Sequence, residues 1–370
     1  MEYLEAVYQI TGSGPFDDRV DAILLEQTIE TPRSVAERYP HVRDNMMGRV
    51  VRIESCADRG VQATLALPFV TASVDPAQFL NVLFGNSSLH EGVKLVDFTP
   101  PAGVTELLPG PRFGVDGLRS LTNAERRPIT CSALKPVGMT LKETAHVCKE
   151  LAMGGIDLVK DDHYLADHSF APFDERVRVC QAVVEEAAAQ TGRSCVYVPN
   201  LSGTPDQLKR QAAAAQKAGV RAVMMAPMLI GMPTFHEMIR SEMDLPVLAH
   251  PSFGGVASIR PATIYGKLFR LFGADAVIFA NYGGRFSFSP DVCRDIAERL
   301  RNPWLGLKPA FPVPAGGMTA DRAAELVRFF GRDVILLVGG SLLKAGDRLR
   351  QKTRQFTERV EEAADDLPEA

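Results

Sequence analysis

The run Gly154-Gly155-Ile156-Asp157-Leu158-Val159-Lys160-Asp161-Asp162-His163 sets four ionisable side chains at the end of an apolar stretch. Side chains alternate along a strand, so Lys160 and Asp162 share one face while Asp161 turns to the other. A lysine inside an apolar strand beside carboxylates is costly unless it is paired, neutralised or modified. Three chemistries answer that need. The lysine could form a structural ion pair, act as a Schiff-base lysine as in barrel aldolases, or be carbamylated by CO2 so that its new carboxylate ligates a metal. Structural ion pairs are common, and the residues alone leave all three open. His163 suits either metal ligation or acid/base work.

Further groups of this kind follow other apolar runs. Lys135 comes in Leu134-Lys135-Pro136, Asn200 follows Val198-Pro199, His250 follows Leu248-Ala249, and Arg285 ends Asn281-Tyr282-Gly283-Gly284-Arg285. Two pairs, Gly316-Gly317 and Gly339-Gly340, directly precede helix-length stretches. Glycine lets the backbone approach an anion closely and presents N–H groups at a helix start, which suits phosphate. The alternative is two tight turns needing positive φ. Arg285 is a candidate clamp for a phosphate or carboxylate.

These residues need elements that bring them to one rim. From residue 128 a short β-branched run followed by an amphipathic stretch repeats about eight times. The strand candidates are Ile129–Ala133, Ile156–Lys160, Ser194–Pro199, Ala222–Ala226, Pro246–Ala249, Ala276–Phe279, Pro309–Pro314 and Val334–Val338. Eight strand–helix units over residues 128–350 predict an α/β fold with a C-terminal (β/α)8 TIM barrel, whose active site lies at the C-terminal strand ends. A doubly wound open sheet is the rival. It usually carries a Gly-rich dinucleotide turn after its first strand, and Leu134-Lys135-Pro136-Val137-Gly138 is not one. Residues 1–110 mix strands (Tyr3–Ile10, Gly48–Cys56, Gln62–Pro68) with helices (Asp17–Glu26, Asp75–Leu83), predicting a smaller α+β, ferredoxin-like domain. Residues 111–127 read as linker and 351–370 as a helical tail.

Composition narrows the function classes. Of 370 residues 46% are hydrophobic and 23% charged, which fits a folded chain with a large core. Lys plus Arg total 41 against 45 for Asp plus Glu, so nothing electrostatic favours nucleic acid or an anionic membrane. No apolar run reaches the ~18 residues of a membrane span. Six scattered cysteines without Cys-x-x-Cys spacing predict reduced thiols in a cytoplasmic protein.

The stretch around Lys160 resembles the RuBisCO large chain, and more closely the form IV RuBisCO-like proteins. The family pattern Gly-Gly-x-Asp-x-x-Lys-x-Asp-Glu is matched except at its last position, where His163 stands. The resemblance implies that Lys160 is the carbamylated lysine and that it ligates Mg2+ with Asp162 and His163. It also implies that Lys135 in the Lys-Pro motif is an acid/base group, that His250 matches the strand-five histidine, and that Gly316, Gly317, Gly339 and Gly340 bind phosphate. Imidazole in place of carboxylate makes Mn2+ an alternative ion. The likeness extends to Glu26 and Thr31 in Glu26-Gln27-Thr28-Ile29-Glu30-Thr31 and to Asn86 in Gly85-Asn86. In the family these complete the partner subunit's site, implying a homodimer with sites at the interface.

Departures point away from carboxylation. Pro251 stands where carboxylating members have a phosphate-binding Arg, and Ala280 closes a strand that ends in His there. Arg285 replaces the mobile-loop Lys, and Ala315 replaces a Ser. What survives is the apparatus for removing a proton beside a carbonyl. The resemblance thus implies a non-carboxylating enzyme acting on a phosphorylated ketose, with 5-methylthioribulose-1-phosphate isomerase as the leading activity. Alternatives are a 3-oxo-isoapionate-4-phosphate-type transcarboxylase/hydrolase, a 2,3-diketo-5-methylthiopentyl-1-phosphate enolase, and a non-catalytic sugar-phosphate binder. Met225, Met228, Met232 and Phe253 are candidates to receive a thioether group, though such residues more often simply pack.

Overall fold

Along Tyr3–Thr11 (β1), Leu4, Ala6, Tyr8 and Ile10 are buried and alternate with more exposed neighbours, the period-two pattern of a strand covered on one face. The computed structural model describes residues 2–56, 60–286 and 288–368. These form two units, one of residues up to Pro109 with Gly254–Ile264, the other of Gly110–Phe253 with residues from Tyr265 on.

In the first unit β1 joins Arg49–Cys56 (β2), Gly60–Pro68 (β3) and Val93–Thr99 (β4) in an antiparallel sheet of order β2-β3-β1-β4. The helix Phe16–Glu26 follows β1, and the helix Pro76–Phe84 lies between β3 and β4. Asp75 starts the latter by accepting from the backbone N–H groups of Ala77 and Gln78 at 2.8 and 2.9 Å. This order is consistent with a ferredoxin-like arrangement. Strand β4 begins before the Pro- and Gly-rich stretch and was not evident from the sequence pattern. Its outer edge is finished from far along the chain: Leu95 N donates to Ser258 O at 3.0 Å, and Arg260 N to Leu95 O at 2.9 Å.

The second unit carries Ile129–Leu134 (β5), Leu158–Asp161 (β6), Val196–Val198 (β7), Val223–Met225 (β8), Val247–Ala249 (β9), Ala276–Ala280 (β10), Phe311–Ala315 (β11) and Ile335–Leu337 (β12). They form two parallel four-stranded sheets, β12-β5-β6-β7 and β11-β10-β9-β8. An isolated parallel bridge from Asn200 to Met224 continues β7 toward β8. All eight strands contribute to one core that includes Ile129, Leu158, Val198, Met224, Ile278 and Val313. The arrangement is consistent with a (β/α)8 barrel. Helices start as the sequence implies: Thr204 and Gln207 form a reciprocal capping box ahead of Pro205–Lys217.

Residues 111–127, expected as linker, hold the helix Gly114–Thr122, whose Val115 and Leu118 enter the strand core. Its start is anchored by Asp275, which accepts from Phe113 N and Gly114 N at 2.7 Å and from Val247 N at 2.9 Å. Residues 254–264 lie with the first unit rather than the second, and the last long helix, Leu349–Asp365, begins just before the expected tail. Among the described residues no helix is long and apolar enough to cross a membrane. Asp275 is fully buried, so Asp275→Ala orphans three N–H donors, two of them buried. Chemical denaturation is expected to show a loss of about 3 kcal/mol or more.

Candidate active site at the strand ends

Strand alternation decides what faces the shared core. Leu158 lies in that core, so Lys160 and Asp162, two and four residues on, share its face. Val196 and Val198 set Asn200 the same way, and Leu248 sets His250. Asp161 takes the opposite face. There it is completely buried, accepting from Arg176 Nε at 3.1 Å, Tyr197 OH at 2.8 Å and Asn200 N at 3.1 Å. This engagement ties both Asp161 oxygens to partners away from the inner face.

Lys160 is 3% exposed and donates from Nζ to the Asp161 carbonyl at 2.7 Å. Burial lowers its pKa, against weaker opposition from Cys131 and the neighbouring carboxylates. The Asp162 carboxylate is paired with Lys135 Nζ and accepts from Tyr164 N at 3.0 Å. Burial pushes its pKa up, but the Lys135 bond, the Tyr164 amide and the charge of Lys160 together hold it below the usual value. Lys135 remains partly exposed.

His163 Nδ1 lies 3.4 Å from Asp162 Oδ1. Its ring stacks on that of His250, with centroids 4.1 Å apart and planes 13° from parallel. Burial lowers both imidazole pKa values, and nearby Lys160 and Lys135 lower them further. Both rings are therefore neutral near pH 7. Nothing in the sequence pattern singles out Ser252, whose Oγ is 2.8 Å from His250 Nδ1 and whose backbone N–H also reaches that nitrogen. Asn200 follows its strand with no role evident from residue type alone. The Asn200 amide donates to the carbonyls of His163 and Leu165 at 3.2 and 3.0 Å, which ties down the loop carrying His163.

The glycine pairs differ. Gly316 and Gly317 have φ of 92° and 94°, and a Cβ on Gly284 would lie 2.1 Å from Gly316 O. This apposition of two loops is sealed by Arg285 N donating to Gly316 O at 2.7 Å. It fixes exposed Arg285 near enough to His163 for its charge to lower that imidazole's pKa. By contrast Gly339 has φ −102° and ψ −96°, outside the ordinary helical and extended regions, and a Cβ on Gly340 would meet nothing within 4 Å.

In the first unit Asn86 Nδ2 donates to Glu26 Oε1 at 2.8 Å and to Glu30 Oε1 at 3.3 Å. Glu26 and Asn86 are thus brought together, with half-buried Thr31 one residue past Glu30. Among the thioether candidates, Met225 and Met232 are buried packing residues, whereas Phe253 is 59% exposed.

The metal expectation can be tested on this donor set. Among the described residues no three His, Cys, Asp or Glu side chains converge as a metal cluster. Asp162 and neutral His163 provide two adjacent donors, and carbamylated Lys160 would supply a third. Lys135, paired here with Asp162, already shows that this buried carboxylate requires a positive partner. The residues fit a divalent ion.

The chain is similar to known proteins along nearly its whole length. The chain is 41% identical to the 5-methylthioribulose-1-phosphate isomerase of Rhodospirillum rubrum, covering 98% of this chain and 97% of that protein. It is 33% identical to the 2,3-diketo-5-methylthiopentyl-1-phosphate enolase of Geobacillus kaustophilus, covering 92% and 88%. The crystal structure of a Rubisco-like protein from Rhodopseudomonas palustris matches with a TM-score of 0.91 and 38% identity, covering 100% of both chains. Residues 114–345 match the catalytic domain of the ribulose bisphosphate carboxylase large chain. With its lysine–aspartate pair at the strand ends, the chain belongs to the RuBisCO large-chain family and, within it, to the RuBisCO-like proteins.

Proposed function

We propose that this protein is a non-carboxylating enzyme that moves a proton on a phosphorylated ketose, and that its reaction is isomerisation of 5-methylthioribulose 1-phosphate. The observation that carries the chemistry is the Lys135–Asp162–Lys160 constellation, a buried carboxylate between two amines at the strand ends. The substrate rests on the full-length similarity to the Rhodospirillum rubrum isomerase. The enolase similarity favours a second reading, proton transfer on the related diketo phosphate, which uses the same residues.

In this reading the two parallel sheets are halves of one (β/α)8 barrel. Asp162, His163 and carbamylated Lys160 hold Mg2+ or Mn2+. When bound, the ion supplies Lewis-acid polarisation of the substrate carbonyl. The phosphate lies against the backbone N–H groups at Gly339-Gly340 and Gly316-Gly317, with Arg285 beside it. Lys135, released from Asp162, takes the carbon-bound proton. Glu26, Thr31 and Asn86 complete the site of a second copy, so the working unit is a homodimer. Six free cysteines support a reducing, cytoplasmic setting.

The decisive experiment is proton NMR of phosphorylated ketoses in D2O with the divalent ion and bicarbonate. Loss of a substrate C–H signal is expected with wild type and absent in Lys160→Ala. Saturable binding without exchange would leave only a sugar-phosphate binder, and a product heavier by one water would indicate a hydrolase. Because burial lowers the Lys160 pKa from 10.5, a larger fraction of the amine is neutral at a given pH. Activation by bicarbonate should therefore rise with pH and level off below 10.5. Gly340→Ala is expected to raise KM for the phosphorylated substrate about 10-fold while leaving stability within ~0.5 kcal/mol.

A further inference from the structure

His250 stands where two opposite chemistries are open to it. A neutral imidazole can accept a proton through its bare nitrogen or donate a hydrogen bond through the other. Which nitrogen faces the site depends on what holds the ring from behind.

The loop after β9 answers this. The backbone N–H of Ser252 points at His250 Nδ1, with the nitrogens 3.2 Å apart. An amide N–H can only donate, so Nδ1 must be the bare, accepting nitrogen. The Ser252 hydroxyl lies 2.8 Å from the same atom and is free to donate as well. Both contacts come from the residue two positions on, so the ring folds back onto its own chain. The stacked His163 fixes the ring plane from one face.

We propose that Ser252 is a positioning residue that locks His250 as the Nε2–H tautomer, making the histidine a neutral hydrogen-bond donor to a substrate oxygen rather than the base. The donor role rests on the enolisation reading above; the tautomer does not. An Nε2–H aimed at the ketose carbonyl or its neighbouring hydroxyl oxygen strengthens its bond as negative charge grows there. The proton-accepting work then falls to Lys135.

Two measurements test this separately. Nitrogen-15 NMR of histidine-labelled protein, assigned by comparison with His250→Gln, should show a protonated Nε2 and a bare, hydrogen-bonded Nδ1 for His250. In Ser252→Ala the Nδ1 signal should shift toward the unbonded position, and Ser252→Thr should restore it. A protonated Nδ1 in the wild type overturns the proposal whatever the substrate proves to be. With the exchanging ketose in hand, kcat separates donor from base. Glutamine places an N–H near the Nε2 position, so His250→Gln should stay within about 10-fold of wild type while His250→Ala falls about 100-fold. Ser252→Ala should lower kcat with little change in KM. If His250→Gln is as inactive as His250→Ala, the donor role is wrong although the tautomer stands. If the wild type exchanges no ketose proton, the enolisation reading fails and the nitrogen spectrum alone judges the lock.

Discussion

Two adjacent carboxylates at the end of one strand face opposite ways, and each is buried beyond the reach of solvating water. A buried carboxylate without a cation is too costly to persist. The fold therefore supplies two different partners. Arg176 serves Asp161 on the outer face, rigidly and with no exposure of either side chain. Lys135 serves Asp162 on the inner face and is partly exposed. The same requirement thus yields a fully enclosed pair on one side of the strand and a partly exposed one on the other. The arrangement at the strand ends depends on that asymmetry. The enclosed pair fixes where Lys160 and Asp162 stand.

Much of this was legible in the sequence because it depends on local periodicity. The alternation through Leu158-Val159-Lys160-Asp161-Asp162 was enough to separate the faces, and the eight apolar runs overlap all eight parallel strands. The partners of Asp161 were not legible. Arg176 comes from a following helix and Tyr197 from the next strand, so their meeting is a product of tertiary packing. Ser252 was hidden for another reason. A serine two residues past a histidine is unremarked until the imidazole is seen folded back onto it.

The stretch after β4 misled for a compositional reason. Its prolines and glycines suggested a linker, yet Gly114–Thr122 is a helix, held by Asp275 and by two core-facing side chains. Nine residues with two glycines give little periodic signal, and a long-range carboxylate does the work that a local cap would otherwise do. The two glycine pairs also looked alike in sequence. Only the backbone separates them: Gly316 and Gly317 are left-handed and crowded, whereas Gly340 is uncrowded.

The outer edge of β4 is closed by residues that the chain supplies only after it has built five parallel strands of the other unit. Spatial unit and contiguous segment are therefore different things in this protein. A truncation at Pro109 would expose a row of unpaired backbone groups, an invitation to self-association. Conversely, an excised C-terminal half would carry a dangling excursion between β9 and β10 with nothing to pair against. Any rearrangement that transplants one unit without the other must therefore divide the chain at three places rather than one.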